Sequence, residues 1–337
     1  MKRGIIVGCG FFGHIQMKAW QRIPIAEMTA AVDLDSSKAE SFASDFGMKA
    51  YTDVAEAIEA EKPDFVDVAT RPSTHLALTE QVVAAGLPVL LQKPMAETFE
   101  DARQIAAVAS QPGVRVMINE NWRWQRWYRE IKSLLQAGRI GDPFYYSIQT
   151  RNNDGLGPAP YSHQPYFKDM PRLLVFEAMV HHLDTARFLF GPIEEVYCRT
   201  RKINPIIAAE DMAIAATCHE SGLAGVVDGN RAGRPDEQGP AMEISRFEGT
   251  EGVIRLLHSG DVLLNGERVF EGGPVPGYRG DSCRGTQQHF VESLESGAQF
   301  ETEAADYLAK TFAVVESCYL SAAENRPVKI AEFADRI

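Results

Sequence analysis

The stretch Gly4-Ile5-Ile6-Val7-Gly8-Cys9-Gly10-Phe11-Phe12-Gly13 constrains this chain more than any other. Ile5, Ile6 and Val7 form a short apolar, β-branched run of the kind that fills a buried parallel strand. The run enters Gly8-x-Gly10-x-x-Gly13, and residues 12–22 then read as a helix. A dinucleotide's pyrophosphate needs that order: the first glycine makes the tight turn, the second lets backbone approach phosphate, and the third lets helix and strand pack closely. The helix N-terminus then offers its N–H groups and positive dipole to the anion. A second apolar run, Met28-Thr29-Ala30-Ala31-Val32, ends in Asp33, 25 positions after Gly8. An acid at the end of the second strand binds the hydroxyls of the adenosine ribose and repels a 2′-phosphate. Leu34 and Asp35 follow it, with no arginine. The expected cofactor is therefore NAD rather than NADP, held by Gly8, Gly10, Phe11, Phe12, Gly13, Asp33 and Leu34. The competing reading is an ordinary βαβ turn followed by a surface acid.

Beyond Asp33 the pattern alternates. Asp35 or Ser36 caps a helix that Gly47 ends, and a shorter helix follows to Ala60. Residues 65–69 read as a buried strand, residues 73–85 as a helix stopped by Gly86, and Val89-Leu90-Leu91 as the next strand. Thr98-x-x-Asp101 has the form of a capping box for a helix to Ala109, and residues 114–118 read as a last strand. Strands alternating with such helices predict a doubly wound parallel sheet, with ligands beyond the strands' carboxyl ends. That position nominates Thr70, Arg71, Pro72, His75, Gln92, Lys93 and Asn121 as further cofactor contacts.

The chain's 337 residues suggest two domains, 1–121 and 122–337. With 34 basic and 46 acidic side chains its net charge is −12, which opposes nucleic-acid or anionic-membrane binding. No apolar run reaches the length of a membrane span, and residues 1–3 lead straight into a strand. The expectation is a chain without span or leader, in the cytoplasm. Its five cysteines lack C-x-x-C spacing and read as free thiols.

Near residue 120 the character changes. Asn121-Trp122-Arg123-Trp124-Gln125-Arg126-Trp127 is dense in aromatics and arginine and reads as a packing seam. Period-two segments follow at 144–151, 196–203, 211–219, 222–230, 242–247, 252–257 and 262–270. They predict a large, open, mainly antiparallel sheet in a C-terminal α/β domain. Loops at 152–172 and 271–285 are long enough to be lids or else disordered. Helices at 286–296 and 303–324 close the chain. The sheet's free face predicts a homodimer or homotetramer through the C-terminal sheet.

Two elements carry candidate chemistry. Lys93 sits past a strand end and before Pro94, which disfavours helix at the lysine. There it holds a substrate hydroxyl and steadies negative charge, or it is a surface lysine. Residues 177–191 read as a helix ending at Gly191-Pro192. On an α-helix Glu177, His181 and Asp184 share one face, while His182 lies about 100° away. Histidine suits removal of an alcohol proton at neutral pH, and Glu177 one turn away orients its ring. For His182 a core role is preferred. Glu177, His181, His182 and Asp184 are also metal-binding types, but adjacent helical histidines diverge, so no metal is expected. Arg123, Arg151 and Asn152, near the domain junction, suit substrate hydroxyls.

These pieces together resemble the glucose–fructose oxidoreductase / inositol dehydrogenase / MocA-type family over nearly the whole length. The resemblance rests on the Gly8–Gly13 turn, the loop from Thr70 to His75, Lys93-Pro94 and the 177–191 helix. It implies a Rossmann half, an open-sheet half, a nicotinamide cofactor, and a sugar, cyclitol or related polyol substrate. It also implies that Lys93 and His181 are catalytic. This chain departs from the family's common Glu-Lys-Pro by having Gln92, and carries Glu177 where an aspartate often stands. Loss of the carboxylate at 92 lowers the proton affinity expected of Lys93. Residues 164–172 resemble a D-apiose dehydrogenase-like subgroup. Two other functions fit the same cofactor turn: an enzyme that retains NAD while oxidising its substrate transiently, and a sensor that binds NAD without turnover.

Overall fold

The computed structural model describes residues 1–233 and 239–336. Its contacts divide the chain into two compact units, Met1–Asn121 with Cys283–Leu308, and Trp122–Ser282 with Ala309–Ile337.

The first unit is built on six parallel strands, β1 (Lys2–Val7), β2 (Ala26–Val32), β3 (Lys49–Tyr51), β4 (Phe65–Val68), β5 (Val89–Gln92) and β6 (Val116–Asn119), in the order β3-β2-β1-β4-β5-β6. The order reverses beside β1, the switch point at which such sheets bind ligands. Helices α1 (Phe11–Trp20), α2 (Ser36–Phe46), α3 (Val54–Glu61), α4 (His75–Ala84) and α5 (Phe99–Ala109) connect the strands. Local signals set their ends. The Asp35 carboxylate accepts from Ser37 N and Lys38 N, Gly47 closes α2 in the left-handed region, and Thr98 Oγ1 accepts from Asp101 N. The strand β3 was not anticipated: it is three residues long and leaves its side chains half-buried or exposed, so it carries no apolar period.

The sequence assigned everything after residue 121 to the second half, yet Cys283–Leu308 packs with the first unit. Phe290, Val291 and Phe300 enter a core with Ile6, Trp20, Phe65, Leu90 and Met117. Thr302 donates to Ile118 O, and Glu303 pairs with Met117 along the outer edge of β6.

The second unit begins with a 3-10 turn, Trp122–Trp124, and α6 (Arg126–Gln136). Strands β7 (Pro143–Arg151), β8 (Ile193–Arg201), β9 (Met212–His219), β10 (Ala224–Asn230), β11 (Glu243–Gly249), β12 (Gly252–Leu256), β13 (Val262–Leu264) and β14 (Glu267–Phe270) join a nine-stranded sheet with β15 (Val328–Lys329). Its order is β14-β13-β12-β11-β7-β10-β9-β8-β15, antiparallel except where β7 runs parallel to β10. The run at 262–270 is two strands rather than one. Asn265 and Gly266, both at positive φ, make the hairpin turn, as Asn-Gly pairs do. Helix α7 (Val180–Phe190) follows a π-helical turn, Leu174–Met179. The later helices are α8 (Ser282–Ser296), α9 (Ala304–Tyr307) and α10 (Ala313–Glu324), the last lying along β8. Alternation along β9 and β10 buries one face, which Tyr146, Val227 and Phe247 help fill. Among the described residues no helix is long and apolar enough to cross a membrane.

Candidate active site

In the first unit the glycine turn is set by contact. Gly8 has φ +107°, and a Cβ there would meet Ala69 O at 2.7 Å. A Cβ on Gly13 would meet Gly8 O at 2.4 Å, so α1 lies against the turn only as glycine allows. A Cβ on Gly10 meets nothing within 4 Å. Gly10 therefore serves no packing need of the protein and leaves room for a ligand's phosphates beside α1, whose N-cap carries no side-chain hydrogen bond. Asp33 ties this turn to the end of β2: Oδ2 accepts from Cys9 N at 3.0 Å and Oδ1 from Asp35 N at 3.0 Å. Burial, with the charge of Asp33, pushes the Cys9 thiol up to about 12, which keeps it inert. Phe11 and Leu34 flank the turn as exposed apolar residues.

Across the switch point the loop after β4 is braced internally. Thr74 Oγ1 contacts Thr70 Oγ1 at 2.8 Å, and a 3-10 turn starts at Pro72. The His75 ring is fully buried between Met95 O and Thr70 O, each at 3.2 Å. Burial lowers its pKa to about 4, so the ring is neutral and its single N–H donates to one of the two carbonyls at a time. At the end of β5, Gln92 Oε1 accepts from Lys93 N at 2.7 Å, and the Lys93-Pro94 peptide is cis. Lys93 is buried. Gln92 stands in register with Asn119 on β6. Gln92 Nε2 and both amide atoms of Asn119 are buried without a hydrogen-bond partner among the described residues. Orphaned amides of that kind at adjacent strand ends fit a ligand that both donates and accepts, as a carboxamide does. Asn121, buried next along the chain, donates to Cys283 Sγ at 3.7 Å.

In the second unit His181 is nearly buried at the start of α7, and the indole of Trp122 stacks on it, with ring centroids 4.5 Å apart at 22°. Glu177 lies in the π-helical turn before α7, not on an α-helix continuous with His181 as the spacing suggested. π-turns widen the helix and recur at functional sites. The Glu177 carboxylate meets Arg231 Nη1 at 3.4 Å. Arg231, at the end of β10, also pairs with Asp154 and lies over the rings of Tyr161 and Phe167. Burial opposes its charge, but Asp154 and Glu177 more than offset this and hold the guanidinium charged. Arg231 thus joins the 152–172 loop to Glu177, and that loop has a small core of Tyr161, Phe167, Leu173 and Ile207.

Asp184 does not share the surroundings of Glu177. It is fully buried and takes a bidentate pair from Arg123, Nε at 2.8 Å and Nη2 at 2.7 Å, with Thr311 Oγ1 at 2.8 Å. Arg123 is thereby turned toward α7. Arg151 pairs with Asp228, while Asn152 exchanges backbone bonds with Asn230 and Gly233. His182 is buried as expected, with Nε2 at 2.8 Å from Thr150 Oγ1 and 3.7 Å from Glu243 Oε2. Among the described residues no three metal-binding side chains are grouped to hold an ion. Arg231 and Glu243 leave no mark in the sequence, since each meets its partners only where elements distant in the chain pack together.

Comparison with known proteins agrees with this geometry. Residues 2–120 match the oxidoreductase family described as an NAD-binding Rossmann fold, and residues 128–255 match the GFO/IDH/MocA C-terminal domain. The chain is 35% identical over 342 residues to a D-apiose dehydrogenase of Paraburkholderia graminis, covering 97% of this chain and 89% of that one. It is 33% identical to a D-apiose dehydrogenase of Rhizobium rhizogenes, covering 97% of both. An oxidoreductase from Agrobacterium radiobacter, solved in complex with NAD+, L-tartaric acid and magnesium, superimposes with a TM-score of 0.90 at 31% identity, over 98% of this chain and 99% of that one.

Proposed function

The chain belongs to the GFO/IDH/MocA oxidoreductase family, and on that premise we propose that it oxidises one hydroxyl of a sugar or polyol with NAD. D-apiose is the first candidate substrate, because the relatives of that name align over nearly the whole chain. The observation that carries the reading is the end of β5 and β6, where three buried amide atoms of Gln92 and Asn119 stand unpartnered beside Lys93. The bound nicotinamide supplies the hydride acceptor. His181 takes the hydroxyl proton, and the Lys93 cation steadies the oxygen as negative charge develops, an effect worth about 3–4 kcal/mol per donor. Glu177 holds His181 in its working orientation. Asp33 favours NAD, since a 2′-phosphate would meet its carboxylate.

Charge balance supports a neutral substrate. Arg123, Arg151 and Arg231 each carry a carboxylate partner, so the charge of each is already matched without a substrate carboxylate. The outer sheet face exposes Ile214 and Ile244, and symmetric pairing through it would bury them. A single species of monomer mass by light scattering at micromolar concentration would refute that association.

The functional test is absorbance at 340 nm with NAD or NADP and a panel of D-apiose, aldoses, inositols and sugar acids. NADH formation with at least one neutral sugar or polyol, and a fall in kcat of about 10²–10³ in Lys93→Ala, are expected. Wild-type turnover in Lys93→Ala or His181→Asn would overturn the mechanism. Substrate loss without NADH would point to a retained cofactor, and NAD binding with no turnover to a sensor.

A further inference from the structure

Behind His181 lies a buried layer that the proposed mechanism leaves unused. Trp122 is 2% exposed and its indole stacks on the His181 imidazole, covering a face of that ring rather than its edge. Its Nε1 donates to Glu243 Oε1 at 3.1 Å, 121 residues away on β11. Glu243 is fully buried. Burial opposes its ionisation, but His182 at 3.7 Å, with the donors Tyr128 and Trp122, holds the carboxyl below its ordinary range. The indole N–H therefore points at a carboxylate. Such a bond pushes electron density into the indole, and an electron-rich indole face attracts a cation lying flat on it.

We propose that Trp122 is a positioning residue for His181, its indole anchored and enriched by Glu243 so that it stabilises the imidazolium formed when His181 accepts a proton. This rests on His181 being the base of the reaction proposed above. Of the other charged groups on the elements packed around α7, Lys132 of α6 donates to Leu189 O, and Glu316 of α10 pairs with Arg172. Arg123 and Arg187 face Asp184, and Arg231 faces Glu177 and Asp154. Burial, followed by the charge of Glu243, pushes the Tyr128 hydroxyl well above its ordinary range, so it stays neutral. His182 shares Glu243 with Trp122, meeting the indole edge-on at 5.8 Å.

The test is an NMR titration of the histidine Cε1–H signals in the full-length chain without substrate. The His181 signal is the one absent from His181→Asn. Trp122→Leu should lower its midpoint by about one pH unit, the scale of a desolvated cation–π contact. Trp122→Phe, which restores a ring face without the N–H, should recover part of the loss. Glu243→Gln keeps the volume and the acceptor oxygen but removes the charge, and should lower the midpoint by about half a unit. In the Trp122→Leu background Glu243→Gln should add almost nothing, because the indole carries its influence. The acid limb of kcat/KM should move to lower pH in the same variants.

A midpoint unmoved in both Trp122→Phe and Glu243→Gln would overturn the proposal, even if Trp122→Leu failed to fold. Additive shifts in the double variant would overturn the route through the indole. Wild-type turnover in His181→Asn, with the shifts present, would overturn the base role of His181 and not the coupling.

Discussion

In the first unit the indole of Trp20 donates to Asp67 at 2.7 Å, and in the second the indole of Trp122 donates to Glu243 at 3.1 Å; both carboxyls are fully buried. Their remaining partners differ. Asp67, in the middle of β4, takes the neutral amide of Gln16 at 3.0 and 3.3 Å. Burial prevails over these bonds and pushes its pKa up to about 7. Glu243 faces His182, and its carboxyl is held below the ordinary value in spite of equal burial. An indole N–H alone does not keep an interior carboxyl ionised. A neighbour able to carry positive charge does.

Removing that neighbour should make the two sites alike. His182→Gln leaves Glu243 with neutral donors only, and should cost roughly 3–5 kcal/mol at pH 7, as for a broken buried pair. Urea unfolding measures it; a cost below about 1 kcal/mol would mean that His182 does not sustain the charge.

Asp67 supplies the opposite pH slope. Its folded pKa lies above the unfolded value of 3.8, so the stability it confers is complete below that value and is lost as pH rises through about 7. Asp67→Asn removes the titration. Its stability relative to the parent chain should improve by about 3 kcal/mol between pH 5 and pH 8, the two units between pH 5 and the folded value at 1.36 kcal/mol each. A pH-independent difference would show that Asp67 ionises freely. Glu243, with its pKa depressed, contributes stability above 4.5 that fades as pH falls through the folded value. The smallest expected effect is that of Trp20→Phe. Losing one donor to Asp67 should raise its titration further and cost about 1 kcal/mol more at pH 8 than at pH 5. Equal costs at both would detach the indole from the carboxyl.

The same contrast shows what a reader of the sequence sees. The glycine turn and the helix caps are legible because each acts within a few residues of itself, through a φ angle or a reach of one turn, and Asp33 is legible because it stands at the end of the strand that follows the turn's helix. Gln92-Lys93 is legible as a strand end. Asp67 reads as one more position in a buried strand, and its partners one helix away leave no mark on that pattern. Glu243 and Arg231 are invisible for a stronger reason. The first meets Trp122 across 121 positions, and the second meets Glu177 across 54, through packing between elements that no local period encodes. The Asn265-Gly266 pair carries a hairpin signal of its own, set inside a segment whose period reads as one strand. The π-turn before α7 breaks the helical period at Glu177 and carries no residue signal of its own.

The return of Cys283–Leu308 to the first unit also bears on how the protein is made. Phe290, Val291 and Phe300 complete a core whose other members were synthesised some two hundred residues earlier, and Arg115 waits for the carbonyls of Ser293 and Ala298. During translation the nucleotide half must therefore persist with Phe65 and Met117 incompletely covered and the edge of β6 unsealed until residue 308 has left the ribosome. A nascent chain halted at Asn121 should be held by chaperones and cleaved readily by protease, and release beyond Leu308 should end both.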